Sequence, residues 1–155
     1  MNYRTATAAD AQTLATLRWQ FHIETHPAPW TDSDRTDFIH ECASWFAAEL
    51  NAESLVVWVA DNAGMIISQI CIRIVRKIPT PRKFENYIGY ITNVYTLPDY
   101  RNQGIGTQLM EYVKQWAHEQ KFDVLFVWPS DRSRPFYQRA GFKLENDIHE
   151  FGCEE

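Results

Sequence analysis

The run Tyr100-Arg101-Asn102-Gln103-Gly104-Ile105-Gly106-Thr107 constrains the fold of this chain more than any other stretch. Glycines at alternate positions let a backbone turn tightly and bring amide N–H groups up to an anion with no Cβ in the way. The macrodipole of a helix starting there adds to the attraction. Upstream, the segment from Tyr87 to Thr96 is rich in β-branched and aromatic residues and is closed by Pro98 and Asp99, so it reads as a strand and a turn. Downstream, Ile105, Leu109, Val113, Trp116 and Ala117 recur at helical spacing and form one apolar stripe. Strand, glycine turn and amphipathic helix in that order read as a phosphate cradle whose helix packs on a sheet.

The other elements follow from pattern. A short strand from Asn2 to Ala6 precedes Thr7-Ala8-Ala9-Asp10, a capping sequence for a helix carrying Leu14, Leu17 and Phe21. The prolines at 27 and 29 break that helix, and Asp32 to Leu50 reads as a second one with Phe38, Cys42, Trp45, Phe46 and Leu50 as its buried stripe. Leu55 to Ala60 and Met65 to Val75 read as antiparallel strands joined by the hairpin signal Asp61-Asn62-Ala63-Gly64. The proline- and base-rich segment from Ile78 to Glu85 is an irregular loop, a candidate substrate rim. Val124 to Trp128 is a continuous apolar run, expected to be a strand buried on both faces and parallel to the one before the glycine loop. A short helix from Ser133 to Ala140, with Pro135 in its first turn and Gly141 at its C-terminal cap, precedes a segment from Phe142 to Phe151 expected to close the sheet.

At 155 residues and 45% hydrophobic content the chain suits one domain over residues 1–155. A net charge of −5 gives no reason to expect nucleic acid as a partner. No apolar run approaches the roughly 18 residues of a membrane span, and the first ten residues carry no apolar leader core, so a cytoplasmic protein without a membrane partner is the expectation. Cys42, Cys71 and Cys153 are widely spaced and read as structural or incidental thiols. His22 and His26 lack the adjacent Glu of a His-Glu-x-x-His site, so no metal is expected. The Gly-x-x-x-x-Gly-Lys-Ser/Thr element of an ATP-binding loop is also missing.

Arg101-Asn102-Gln103-Gly104-Ile105-Gly106 resembles the Arg/Gln-x-x-Gly-x-Gly/Ala signature of the GNAT superfamily of N-acetyltransferases. A second segment, Ser133-Arg134-Pro135-Phe136-Tyr137-Gln138-Arg139-Ala140-Gly141-Phe142, is similar to that family's later Phe-Tyr and Gly-Phe element, in the family's order. The resemblance implies a GNAT-type α/β (α+β) fold, with a mixed, mostly antiparallel sheet and helices on both faces. It implies acetyl-CoA as co-substrate, with Val94, Tyr95 and Thr96 pairing with the pantetheine arm and Asn102, Gln103, Gly104, Ile105, Gly106 and Thr107 holding the pyrophosphate. Arg101 is left between a phosphate and a nearby carboxylate. Ser130 stands where many members carry an Asn near the thiol end, and Ser133 opens the second motif. The implied activity is direct acetyl transfer to a primary amine of a small molecule or peptide, and homodimers are common in the family.

Such a reaction needs a neutral amine, a stabilised oxyanion and a proton for the departing thiolate. Tyrosine, with an ordinary pKa of about 10, can donate a hydrogen bond or proton to a thiolate whose acid has a pKa of roughly 8.5. Tyr137 is in the position that the resemblance assigns to this acid, and a backbone N–H at Val94 or Tyr95 would face the oxyanion. Thr92 and Asn93 occupy strand positions where several relatives carry a Glu base. Glu24, Glu85, His22 and His26 are the alternatives, each also readable as a solvated or structural residue. That missing carboxylate supports a rival, a non-catalytic sensor that only binds acyl-CoA. Trp19, Trp30 and Trp45 read either as core or as an acceptor wall.

Overall fold

Capping boxes mark the entries to the first two helices. In the computed structural model, which describes residues 1–144, the Asp10 carboxylate accepts the Thr7 N–H at 2.8 Å at the entry to α1 (Ala11–Thr25). Thr31 and Asp34 cap α2 (Asp32–Asn51) reciprocally, with the Asp34 N–H donating to Thr31 Oγ1 at 3.1 Å and the Thr31 N–H to Asp34 Oδ2 at 2.9 Å. Strand β1 (Asn2–Thr5) precedes these helices. The hairpin β2 (Leu55–Asn62) and β3 (Met65–Arg76) turns on Ala63 and Gly64, both at positive φ. Strand β4 (Tyr87–Thr96), α3 (Ile105–Glu119), β5 (Val124–Phe126) and α4 (Arg134–Arg139) complete the order.

The sheet runs β1-β2-β3-β4-β5, antiparallel throughout except for the parallel pair β4 and β5. Helices cover both faces, as the sequence implies. On one face, Leu14, Leu17 and Trp19 of α1 and Ile39 and Phe46 of α2 pack on Val57, Val59, Cys71 and Tyr95. On the other, Leu109, Met110 and Val113 of α3 and Tyr137 of α4 pack on Ile70, Ile72 and Ile91. Gly89 lies where β4, β5 and α3's trailing turn converge. A Cβ there would stand 2.5 Å from Leu125 Cδ2 and 2.9 Å from Ile72 Cγ2.

Three expectations need correction. Strand β5 is shorter than the apolar run and is not buried on both faces, since Val124 is 50% and Trp128 55% exposed. It is an edge strand, and its pairing ends at Tyr90↔Phe126. Trp45 is 45% exposed and does not belong to the buried stripe of α2, in which Ile39 and Phe46 carry the burial. Phe142 to Leu144 form no strand, and the rest of the expected closing segment, with Cys153, lies outside the described residues.

Strand β4 carries a bulge that periodicity did not reveal. Cys71 opposes Thr92 while Gln69 opposes Tyr95, so Asn93 and Val94 together face the single residue Ile70. Asn93 takes up the extra length with φ +49°. Ile91 therefore packs under α3 and α4, whereas Tyr95 packs under α1 and α2. A regular strand would put both on the same face.

Candidate active site

Beyond Tyr90 the two parallel strands part. The Leu97 N–H donates to Ile67 O at 2.9 Å and the Ile74 N–H to Ser54 O at 2.9 Å, which fixes the alternation of ladder bonds along β3. Thr92, Tyr95 and Leu97 face β3 on that alternation, Asn93 and Val94 fall outside the register at the bulge, and Thr96 is paired with Ser68, their hydroxyls 2.8 Å apart. With no β5 beside them, Val94 and the Thr96 N–H lie on the edge of β4 away from β3, whereas Thr96 O is taken by Arg101 Nε. Of the two oxyanion candidates, Val94 has the backbone that faces the gap, and Tyr95 faces β3.

The glycine loop closes one end of this gap. Asn102 and Gly104 adopt φ of +59° and +79°, and α3 starts at Ile105 with no side chain capping it. Its first intrahelical bond runs from the Gln108 N–H to Gly104 O at 2.9 Å, so the N–H groups of Ile105, Gly106 and Thr107 have no partner within the helix. Neighbouring side chains fold back instead of covering them. Gln103 Nε2 donates to Asp99 O at 2.9 Å, and Arg101 Nε to Thr96 O at 2.8 Å. Gly106 seats the helix start against Thr96 and Phe136, where an added Cβ would meet ordinary contacts at 3.6 and 3.7 Å.

Of the two partners the sequence left for Arg101, the carboxylate is the one in place. Arg101 Nη2 donates to both Glu24 oxygens, at 3.0 and 2.8 Å, and Tyr95 Oη donates to Glu24 Oε1. Burial alone would raise the Glu24 carboxyl, but the hydrogen bonds from Tyr95 and Arg101 outweigh it and hold the group below its usual value. The Tyr95 hydroxyl is pushed up by burial and by its bond to Glu24. Glu24 is thus a clamp that ties α1 to the end of β4, and a poor proton acceptor.

On the far side of the gap, Pro135 opens α4 and Gly141 ends it at φ +87°. The Phe142 N–H donates to Tyr137 O at 3.0 Å and the Gly141 N–H to Gln138 O at 3.0 Å, the two bonds of a Schellman cap. The same cap lays Phe142 edge-on against the Tyr137 ring, 5.6 Å between centroids. The Ala-Gly-Phe sequence is therefore a device for fixing Tyr137. Burial, and secondarily the nearby Tyr90, push the Tyr137 hydroxyl up to about 12. Ser130 Oγ donates to Ser133 Oγ at 3.0 Å, and Ser133 Oγ donates to Ser130 O at 3.0 Å, so both serines shape the turn before α4.

A cavity of about 500 Å³ opens between α1, α2 and the bulge, walled by Phe38, Trp45 and Phe46 and reaching Thr92 and Asn93. Trp19 is buried, Trp45 lines this cavity, and Trp30 is 42% exposed and outside its lining. His22 and His26 stack on each other at 4.8 Å outside the cavity lining, and burial, then the charges of His26 and Arg18, lower His22. Glu85 is exposed in the loop before β4. Among the described residues, no carboxylate or imidazole lines this cavity. Another hollow, of about 460 Å³, lies at the β2–β3 turn and includes neither bulge nor glycine loop.

The sequence profile of the acetyltransferase (GNAT) family matches residues 13–142, and the chain belongs to that family. It is an acetyltransferase by that membership. Among solved structures it is similar to a predicted acetyltransferase from Clostridium acetobutylicum determined with acetyl-CoA, at 29% identity, 97% and 95% coverage of the two chains and a TM-score of 0.76. A GCN5-related N-acetyltransferase from Ralstonia eutropha shares the fold at 19% identity, 99% coverage of each chain and a TM-score of 0.71. So does an aminoglycoside acetyltransferase from an uncultured soil metagenomic sample, in complex with sisomicin, at 16% identity, 99% and 95% coverage and a TM-score of 0.74. No curated protein matches significantly. No helix among the described residues is long and apolar enough to cross a membrane.

Proposed function

We propose that this chain transfers the acetyl group of acetyl-CoA directly to a primary amine of a small molecule or peptide. The bulge carries the proposal. Its consecutive residues Asn93 and Val94 belong to the acceptor-sized cavity on one face and to the cluster containing Tyr137 on the other. The donor groups fit acetyl-CoA: uncapped N–H groups of Ile105, Gly106 and Thr107 suit a pyrophosphate, and the backbone of Val94, skipped by the ladder at the bulge, with the Thr96 N–H beside it, suits an amide-bearing arm. Bound there, the coenzyme supplies an activated acyl group. The chain supplies the rest. Val94 presents a backbone N–H donor at the gap, Tyr137 holds a proton that it retains throughout the working pH range, and Phe38, Trp45 and Phe46 exclude water from the amine. Arg101 acts as a positioning residue, binding Thr96 O and Glu24 and so fixing the end of the strand.

The test is thiol release with acetyl-CoA across a broad amine panel, with Tyr137→Phe alongside. Removing the acid should lower kcat about 10²-fold or more while the affinity for acetyl-CoA stays unchanged. Tight acetyl-CoA binding with no turnover of any amine would refute the proposal and leave the binding-module reading.

A further inference from the structure

The cavity has a charge character at odds with the chain's overall acidity. Arg18 projects from α1 into its lining and lies over the Phe21 ring, 5.4 Å from the centroid. Among the described residues Arg18 forms no ion pair, although Arg4, Arg73, Arg101 and Arg134 each do. The other guanidinium near the cavity, Arg73 over the Trp45 ring, is neutralised by Glu49. Among the described residues no carboxylate lines the cavity, and burial raises both of its thiols, Cys42 and Cys71, so neither offers a negative charge at neutral pH. Arg18 is therefore an uncompensated cation at a partly buried apolar wall, where a missing partner is costly.

We infer that the acceptor is an amine bearing a carboxylate on an apolar body, the chemistry of an apolar or aromatic amino acid, and that Arg18 binds that carboxylate. This rests on the acetyl-transfer reading above. The carboxylate forms a charge-assisted pair with the guanidinium. The apolar body lies against Phe38, Trp45 and Phe46. The amine is directed to the bulge, where the cavity reaches Thr92 and Asn93. A polycationic acceptor finds no counter-charge in this cavity and meets Arg18 with like charge.

The probes are L-phenylalanine, phenethylamine, which lacks the carboxylate, and 3-phenylpropionate, which lacks the amine. In the wild type, kcat/KM for L-phenylalanine should exceed that for phenethylamine by about 10- to 100-fold, the range of a charged hydrogen bond. That ratio should collapse by at least tenfold in Arg18→Gln, through KM, and recover in part in Arg18→Lys. By calorimetry, 3-phenylpropionate should bind the wild type and bind Arg18→Gln about tenfold more weakly, with acetyl-CoA affinity equal in both as the check on folding. Equal use of phenethylamine and L-phenylalanine by the wild type overturns the inference and leaves amine acetylation standing. If no amine is acetylated, the acetyl-transfer reading fails separately, and calorimetry alone decides Arg18: failure of 3-phenylpropionate and L-phenylalanine to bind overturns its role.

Discussion

The two glycines of the cradle look equivalent in sequence, and the structure predicts opposite outcomes when each is replaced by alanine. At Gly104 a Cβ meets nothing within 4 Å, so sterics impose no cost, but φ is +79°. An L-residue in the left-handed region costs about 1–2 kcal/mol. The strain has two outlets. If the loop keeps its shape, stability falls by that amount, about 2–4 °C in Tm per kcal/mol for a chain of this size. If the loop relaxes, the N–H groups of Ile105 to Thr107 swing away, and acetyl-CoA affinity falls by about 5- to 30-fold, at 1.36 kcal/mol per decade. At Gly106 the new Cβ meets only ordinary contacts with Thr96 and Phe136, inside a regular helix. Gly106→Ala should therefore gain about 0.5–1 kcal/mol of stability through reduced unfolded-state entropy. Thermal unfolding and calorimetric titration with acetyl-CoA, run on both variants, give the two losses for each. A Gly104→Ala protein with wild-type Tm and wild-type affinity, or a Gly106→Ala protein clearly less stable than the parent, would refute the reasoning.

Gly89→Ala should destabilise the fold by about 1–3 kcal/mol, because its Cβ would press on fully buried Ile72 and on Leu125, and chemical denaturation reads the change. With no titrating base in the cavity lining among the described residues, log kcat/KM should rise with unit slope up to the pKa of the acceptor amine itself. The Tyr137 hydroxyl, raised to about 12, should give no falling limb below about pH 11; an inflection between pH 5 and 7 in a full profile would contradict this. Glu24→Gln should lower Tm at pH 7. The folded pKa of Glu24 is depressed, so its stabilisation is present above the unfolded value of about 4.3 and is lost as pH falls through the lower folded value, and the variant's deficit should shrink at acid pH.

The sequence made legible whatever depends on local chemistry. The capping pair at Thr7, the hairpin at Ala63-Gly64, the glycine loop and the cap at Gly141 all sit where their residue types require, while the reciprocal cap at Thr31 and Asp34 was equally local but went unread. The order of elements then implied the parallel pair β4 and β5. What depends on distance along the chain was not legible. Nothing near Glu24 signals that it meets Tyr95 and Arg101, more than seventy residues on. The apolar character of Val124 to Trp128 could not reveal that its neighbour strand diverges after Tyr90. Asn93 in the middle of a β-rich run was the one available trace of the bulge, since Asn tolerates positive φ better than its neighbours do.

The extra residue in β4 works like a frameshift. Upstream of Asn93 the strand's odd positions feed the layer under α3 and α4, and downstream they feed the layer under α1 and α2. Two hydrophobic cores are thus written on one strand in different reading frames, with the gap between β4 and β5 at the junction. A point substitution near the junction leaves both frames intact, so the acceptor cavity is free to diversify by substitution. A one-residue insertion or deletion would instead send Tyr95 and Leu97 to the wrong layer and detach Glu24 from the strand. The length of this strand is therefore far less free to change than the identity of most residues along it.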